Sequence, residues 1–157
     1  MALKSDWQPL EWNVGYFVLA ASEPGGILVS ATGTGLPGSG AAMDHYSQRA
    51  EYAANGSGRY PLGILFDTFV NKDLTQATLN ILKGEAQVGD KAAIVKKGHM
   101  TTNVIVGATT VVPGQPAYLG ATGTITPTYT NDVATPRIGR FESRPDQNGY
   151  CKIYVDC

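Results

Sequence analysis

The sequence predicts a mainly β protein, with one small sandwich-like or barrel-like domain, one short helix and an extended N-terminal arm. Short apolar runs alternate with turn residues between Val111 and Asp156, as at Pro113-Gly114 and Asn148-Gly149. Proline presets φ for entry into a turn, and glycine supplies a positive φ. The chain has 19 glycines and 9 prolines, which favours many turns between short strands. Strands at this spacing are typical of a meander that folds into a sandwich or barrel.

Length and charge narrow the class of protein. A chain of 157 residues suits one domain, and a domain of that size buries roughly 70% of its unfolded surface. Charged residues make up 16% and the formal net charge is −1, so binding to nucleic acid through phosphate neutralisation is not expected. No apolar run reaches the roughly 20 residues that span a bilayer. The polar residues before Val14 argue against a secretory signal.

The first residues predict an arm. Residues 1–13 are polar and irregular, and they contain both tryptophans, Trp7 and Trp12. Two interpretations of these side chains stay open. They cover one end of the barrel core, as amphipathic aromatic residues often do, or they form a docking arm, because Trp is enriched at interface hot spots.

Residues 14–21 and 26–32 are β-prone runs that a Pro24-Gly25 turn separates. The chain therefore divides into residues 1–25, which form the arm and first strand, and residues 26–157, which form the β-rich domain.

A helix is predicted at residues 41–54, after a glycine-rich loop. Met43, Tyr46 and Ala50 recur at helical spacing, and Asn55-Gly56 ends the run.

Further strands are predicted at residues 60–66, 74–82, 91–97 and 102–106. Residues 74–82 also fit a helix, but the Gly89-Asp90 turn that follows favours a strand. Gly63 and Gly139 each interrupt a short apolar strand, and glycine at such a position often marks a bulge.

No pattern for catalysis, a cofactor or a metal is evident. Residues 33–38 match the GxGxxG glycine motif, but Pro37 removes a backbone donor and no strand-helix-strand rhythm surrounds them. His45 and His99 are the only histidines, and neither has metal-ligand spacing. No serine lies in a GxSxG elbow. Paired carboxylates for glycoside chemistry stay formally open. We expect no catalytic, cofactor-binding or metal-binding residues, and no enzyme activity.

The two cysteines, Cys151 and Cys157, fall on one predicted strand. Their separation along a strand approaches about 20 Å, which is beyond the reach of a disulfide. We expect free thiols, as in a protein made in a reducing cytosol. A disulfide from either cysteine to a neighbouring subunit stays open as the alternative.

Three arginines, Arg137, Arg140 and Arg144, occur close together. Simple alternation places residues 138, 140 and 142 on one strand face, so we expect Arg140 and Glu142 to face solvent or a neighbouring subunit. A solvated face is the default, and an ion pair between subunits is the sharper hypothesis. The candidate interface residues are therefore Trp7, Trp12, Arg137, Arg140 and Glu142.

The later segments of the chain follow a distinctive order. After Pro61-Leu-Gly-Ile-Leu come residues 89–98, 113–119 (PGQPAYL), 123–127 (GTITP), 137–143 (RIGRFES) and 146–155 (DQNGYCKIYV). This order, on a short chain without enzyme motifs, resembles the capsid cement, or head decoration, proteins of tailed bacteriophages.

The resemblance implies a structural role in a virion. Proteins of that family are β-rich clips on the outside of the expanded head, where they reinforce joints between major capsid subunits. The implied partners are the major capsid protein and further copies of this chain, with a trimer favoured and a dimer open. The resemblance implies no direct contact with nucleic acid or a membrane. It also implies assembly onto the outer capsid surface after synthesis in the host cytoplasm, and it favours docking for the two tryptophans.

Two other classes stay open. A phage fibre or lectin-like module would bind surface carbohydrate through exposed aromatic residues such as Tyr46, Tyr52, Tyr118 and Tyr129. A small hydrolase would use carboxylates whose pairing the sequence does not reveal.

Overall fold

The computed structural model describes residues 8–18, 20, 22–30, 49–55, 58–71, 85–107, 110–129 and 135–157. The protein is mainly β, as predicted. The strands are β1 (Gln8–Val18), β2 (Ile27–Ser30), β3 (Arg49–Glu51), β4 (Pro61–Leu65), β5 (Thr68–Val70), β6 (Glu85–Gln87), β7 (Lys91–Thr102), β8 (Pro116–Leu119), β9 (Ile125–Thr126), β10 (Arg137–Phe141) and β11 (Cys151–Asp156). A 3-10 turn at Ala121–Gly123 separates β8 from β9.

Nine of these strands form one sheet in the order β1-β3-β2-β4-β7-β11-β10-β8-β9. Strand β1 pairs with β3 along one edge and with β7 along the other, so β1, β3, β2, β4 and β7 form a closed ring. Ring closure removes exposed strand edges, which otherwise invite aggregation. Strands β5 and β6 form a separate parallel pair.

Two hydrophobic clusters fill the structure. The smaller draws on every strand of the ring, with Val18, Leu28, Ala50, Leu65 and Ile94 among its buried members. Residues from all five ring strands meet in this cluster, so it occupies the ring interior.

The larger cluster joins the other face of β2, β4 and β7 to strands β8–β11. Ile64, Met100, Ile138, Phe141 and Ile153 are among its fully buried members. The central strand β7 therefore contributes residues to both cores. It joins the ring to the second part of the sheet, which contains β8–β11.

The glycines predicted to mark bulges do so. Gly63 has a φ of +136° beside a register shift between β2 and β4. Gly139 has a φ of +155° beside a shift between β10 and β8. The bulge changes the facing of β10, because Ile138 is fully buried while Arg140 is exposed. The expectation that residues 138 and 140 share one face is therefore wrong, since simple alternation ignores the bulge.

Strand β1 begins at Gln8. From that residue onward the predicted arm is a strand of the sheet, paired antiparallel with β7. Pro9 lies opposite Gly98, where a side chain would come within 2.6 Å of the Gln8 carbonyl oxygen. Gly98 therefore permits the start of β1, which the sequence predicted to be an irregular arm, to pack closely against β7.

The predicted helix at residues 41–54 is not continuous to its end, because Arg49–Glu51 form strand β3. Ala50 is buried between the neighbouring strands β1 and β2, and its small side chain suits that crowded position. Residues 41–48 of the predicted helix lie outside the described residues.

The other predicted strands have mixed outcomes. The strand at 60–66 is confirmed as β4, and the strand at 91–97 is the first half of the longer β7. The strand predicted at 102–106 is wrong beyond Thr102, where β7 ends: residues 103–107 are irregular, with an isolated bridge at Ile105. The strand at 74–82 lies outside the described residues. Among the described residues, no helix is long and apolar enough to cross a membrane.

Candidate interaction surface

A polar surface covers the side of β7, β11 and β10 that faces away from the larger core. On β11, Cys151, Ile153 and Val155 are buried, while Lys152, Tyr154 and Asp156 alternate with them on the opposite face. The antiparallel register aligns neighbouring strands and brings polar side chains of all three together on this face. We call the group Arg137, Arg140, Glu142, Lys97, His99, Tyr154 and Asp156 the polar strip.

Tyr154 is the centre of the polar strip. It lies opposite His99 on β7 and opposite Arg140 on β10. The rings of Tyr154 and His99 are 5.1 Å apart, and the Arg140 guanidinium lies 5.3 Å from the centroid of the Tyr154 ring. Arg140 is thereby attracted to the face of an aromatic ring, yet 56% of its side chain stays exposed.

Glu142 connects the two flanks of Tyr154. Its Oε2 lies 2.6 Å from Nδ1 of His99, and its Oε1 lies 4.0 Å from Nη2 of Arg140. The His99 contact is a short hydrogen bond, whereas the Arg140 contact is a long ion pair. Glu142 is therefore in close contact with His99, whereas the Arg140 guanidinium keeps N–H groups that can donate to another carboxylate.

The far end of the polar strip carries a second ion pair. Nζ of Lys97 lies 3.3 Å from Oδ1 of Asp156. The hydrogen bond to the Asp156 carboxylate raises the pKa of Lys97 above its ordinary value. Both side chains are about half exposed, and an ion pair in that setting contributes little to stability.

A shallow cleft of about 340 Å³ opens along the polar strip, lined by Arg137, Gly139, Arg140, Tyr154 and Asp156. Nε of Arg137 donates a hydrogen bond to the carbonyl oxygen of Gly139, at 3.2 Å. Two guanidinium groups beside an aromatic ring are suited to planar carboxylate groups. The arrangement can bind a protein surface, and it offers no nucleophile with an adjacent base for covalent chemistry.

Of the candidate interface residues, Arg137 and Arg140 line one cleft, and Arg140 forms a long ion pair with Glu142, which follows the last residue of β10. Trp12 lies apart from them on β1, with its ring 5.2 Å from that of Phe66 in an edge-to-face contact. Its exposure is 42%, so one part of the ring covers Phe66 and the rest lies at the surface. Trp7 lies outside the described residues.

Four members of the polar strip were not predicted from sequence, namely Lys97, His99, Tyr154 and Asp156. The alternation of Ile153 and Val155 with Tyr154 and Asp156 signals that the latter two share a face. No local signal joins His99 to Glu142, because the two are 43 positions apart.

The other sequence predictions concern a metal site, the glycine motif and the two cysteines. Among the described residues, no group of three or more His, Cys, Asp and Glu side chains could hold a metal ion. His45 and residues 33–38 lie outside the described part of the chain. Cys151 and Cys157 are free cysteines within this chain, as predicted, with Cys151 buried and Cys157 exposed.

Comparison with known proteins leaves the family open: no protein-family model matches the chain, and no curated protein matches it significantly.

Proposed function

We propose that the protein is a structural virion protein that binds the outer surface of a tailed-phage head. In this role it stabilises joints between major capsid subunits and has no catalytic activity. The resemblance in segment order supports the proposal, and those segments correspond to β4 and to the region from β7 to β11. The observation that carries it is the exposed Arg140 guanidinium, held in place by Tyr154 and Glu142 on a rigid sheet.

The rigidity of the sheet favours tight docking. Strand β11 lies between β7 and β10 in the continuous sheet, and its inner face is fully buried. The polar strip therefore loses little conformational freedom when a partner binds. A protein that binds the assembled shell in preference to free subunits stabilises that shell through mass action.

The charge of the molecule suits many copies on one shell. Its formal net charge is −1, so neighbouring copies repel one another only weakly. The polar strip itself contains both positive and negative side chains. Such a mixture determines which partner binds and in which orientation, and it contributes less to the binding affinity. We assign the polar strip to contact with a capsid subunit, and we propose that the protein also associates with copies of itself.

Co-sedimentation with phage heads tests the proposal. Heads would be purified from a phage whose gene for this chain is deleted, and they would be mixed with wild-type protein or with Arg140→Glu. We expect saturable binding of the wild type and binding of the variant that is weaker by about tenfold or more. The reason is that the introduced glutamate would face the capsid carboxylate that Arg140 is proposed to contact.

Lys91→Glu is the matched control. It makes a charge reversal of the same size at the opposite end of β7, where Lys91 is exposed and lies over the Phe17 ring, 5.8 Å from its centroid. This control should bind as the wild type does. Failure of wild-type protein to sediment with bare heads would overturn the proposed function.

A carbohydrate-binding module is the second candidate, and one pair of residues favours it. The rings of Tyr118 and Tyr129 are 5.3 Å apart, and Tyr129 is 49% exposed, so they offer an aromatic platform. Tyr52 does not contribute, because its hydroxyl donates to the Glu23 carbonyl oxygen and its ring packs against glycines. Tyr46 lies outside the described residues. Retention on a glycan array that Tyr129→Ala abolishes would favour this candidate.

A further inference from the structure

The outer face of β10 continues beyond the polar strip onto β8 and β9. On β8, Ala117 and Leu119 are fully buried, so Tyr118 between them faces outward. Tyr118 lies directly opposite Arg137 on β10 and opposite Thr126 on β9. Residues directly opposite each other in an antiparallel pair share a face of the sheet, so the side chains of Tyr118 and Arg137 are neighbours.

Tyr118 and Tyr129 form two adjoining aromatic walls beside Arg137, which we call the aromatic corner. Their ring centroids are 5.3 Å apart and their planes are inclined by 52°. Tyr129 is 49% exposed. Two rings that meet at this angle can pack against one apolar side chain of a partner. Tyrosine and arginine are also enriched among the residues that dominate the energy of protein interfaces.

The guanidinium groups of Arg137 and Arg140 keep N–H groups for a partner. Nε of Arg137 donates to the carbonyl oxygen of Gly139 at 3.2 Å, and Nη2 of Arg140 lies 4.0 Å from a carboxylate oxygen of Glu142. A guanidinium has five N–H groups, so these contacts use a minority of them. The two arginines line the same cleft, and a single partner segment can therefore reach both.

The carboxylates of the polar strip already have closer partners within the chain. Oδ1 of Asp156 lies 3.3 Å from Nζ of Lys97, and Oε2 of Glu142 lies 2.6 Å from Nδ1 of His99. Both carboxylates also lie beside the two arginines, where they would repel a polyanion with closely spaced charges. A protein segment with separate carboxylate side chains fits this mixture of charges better.

We infer that the polar strip and the aromatic corner together bind an acidic protein segment. One carboxylate side chain of the segment accepts hydrogen bonds from Arg137, and another accepts from Arg140. Hydrogen bonds between a guanidinium and a carboxylate are short and directional. An apolar side chain of the same segment packs in the aromatic corner. The assignment of this segment to a capsid subunit rests on the proposed function, whereas its acidic chemistry rests on the two arginines.

An NMR titration of the purified full chain, labelled with 15N, tests the inference without phage heads. The probe is a blocked synthetic peptide, Gly-Asp-Asp-Leu-Leu-Asp-Asp-Gly, and the control peptide has Asn in place of each Asp. We expect saturable shifts of the backbone amides of Tyr118, Arg137 and Arg140 with the acidic peptide. Binding of the control peptide should be weaker by about tenfold or more, because it has no carboxylates.

Neutral variants identify the side chains that bind the peptide. Arg137→Gln and Arg140→Gln should each weaken binding by about tenfold, and Tyr129→Ala should weaken it by about threefold or more. Arg137→Lys should have an intermediate effect, because lysine keeps the charge and loses the paired N–H geometry. Lys91→Gln is the matched control. It removes one exposed positive charge outside this surface and should bind as the wild type does.

Thermal melts would verify that each variant is folded, and Arg137→Lys is the milder substitution if Arg137→Gln is not. Shifts at the expected amides that both arginine variants weaken would support the inference. It would be overturned by a wild type without saturable shifts, by affinity that neither arginine variant alters, or by tighter binding of polygalacturonate than of the peptide. The last result would assign the surface to an acidic polysaccharide.

Binding to phage heads separates this inference from the proposed function. Peptide binding by a protein that does not bind heads would overturn the capsid role and leave the acidic-segment contact in place. Head binding that Arg137→Gln and Tyr129→Ala leave unchanged would overturn the acidic-segment contact and leave the capsid role in place.

Discussion

Gly139 on β10 and Tyr154 on β11 approach each other so closely that no side chain fits between them. A Cβ atom on Gly139 would overlap the carbonyl oxygen of Tyr154. The glycine also holds a φ of +155°, which residues with a side chain rarely adopt. The same glycine lies at the register shift between β10 and β8. Arg137 and Arg140 on either side of it are exposed, and the Arg140 guanidinium lies over the Tyr154 ring.

Gly139→Ala should lower the free energy of unfolding by about 2 kcal/mol or more, because the new methyl group meets backbone atoms in a strained conformation. Urea unfolding measures the change. Gly149→Ala is the control: Gly149 also has a positive φ, +79°, but nothing lies within 4 Å of the added methyl group. Its cost should be limited to about 1–2 kcal/mol of backbone strain. Equal losses in the two variants would show that the contact with Tyr154 is unimportant.

Tyr52 should make the stability of the protein sensitive to alkaline pH. Its hydroxyl lies 2.5 Å from the Glu23 carbonyl oxygen, and burial of the ring raises its pKa well above the ordinary value of 10.0, while the Gly26 backbone acts in the opposite direction. The stability that comes from the raised pKa is fully present below pH 10 and is lost as the pH rises toward the folded-state pKa.

Tyr52→Phe should therefore cost about 1 kcal/mol near neutral pH, through the lost hydrogen bond, and should weaken the loss of stability above pH 10. Unfolding in urea at several pH values measures both effects. Tyr60→Phe is the control, since Tyr60 is 78% exposed. An unchanged alkaline loss of stability in Tyr52→Phe would contradict this role of the buried hydroxyl.

Cys151 should resist thiol reagents in the folded protein. The side chain is fully buried, its Sγ donates to the Ser143 carbonyl oxygen at 2.9 Å, and burial raises the pKa of the thiol. Only the thiolate reacts, so both access and ionisation slow the reaction. In a Cys157→Ser background, labelling at about pH 8, near the ordinary thiol pKa, should be slow when folded and rapid in urea. Equally rapid labelling in the two conditions would show that Cys151 is accessible.

Deletion of residues 1–13 should destabilise the isolated protein. The deletion removes Gln8–Asn13, which pair with β7 and close the ring, together with the contact of Trp12 with Phe66. A fall in melting temperature of several degrees would follow from a loss of about 1 kcal/mol or more. Trp12→Ala alone should cause a smaller fall. An unchanged melting temperature after the deletion would mean that the segment is a dispensable arm.

Local chemistry in the sequence predicted much of the C-terminal half. Pro113-Gly114 and Asn148-Gly149 bound strands that the structure confirms, because turn residues act over a few positions. The glycine within the strand also predicted the bulge at Gly139. The sequence did not reveal which way the side chains beside the bulge point. Simple alternation therefore placed Ile138 on the same face as Arg140, whereas Ile138 is fully buried.

Long-range pairing was beyond the reach of sequence patterns. Closure of the ring depends on β1 meeting β7 far along the chain, at pairs such as Gln8 and His99. The polar strip depends on the same kind of pairing, since His99 and Glu142 meet only after β7, β11 and β10 align. Polar residues such as these carry no periodic apolar signal, so only the register of the sheet identifies their partners.

The most direct test of the proposed capsid role is the thermal disruption of phage heads that lack this protein. Heads would be heated alone, with wild-type protein and with Arg140→Glu, and the release of DNA would be followed by the fluorescence of an intercalating dye. The capsid role predicts that wild-type protein raises the temperature of DNA release in a saturable manner, because it binds the intact shell in preference to the disrupted one, and that Arg140→Glu raises it far less. Release at the same temperature with and without saturating wild-type protein would contradict that role.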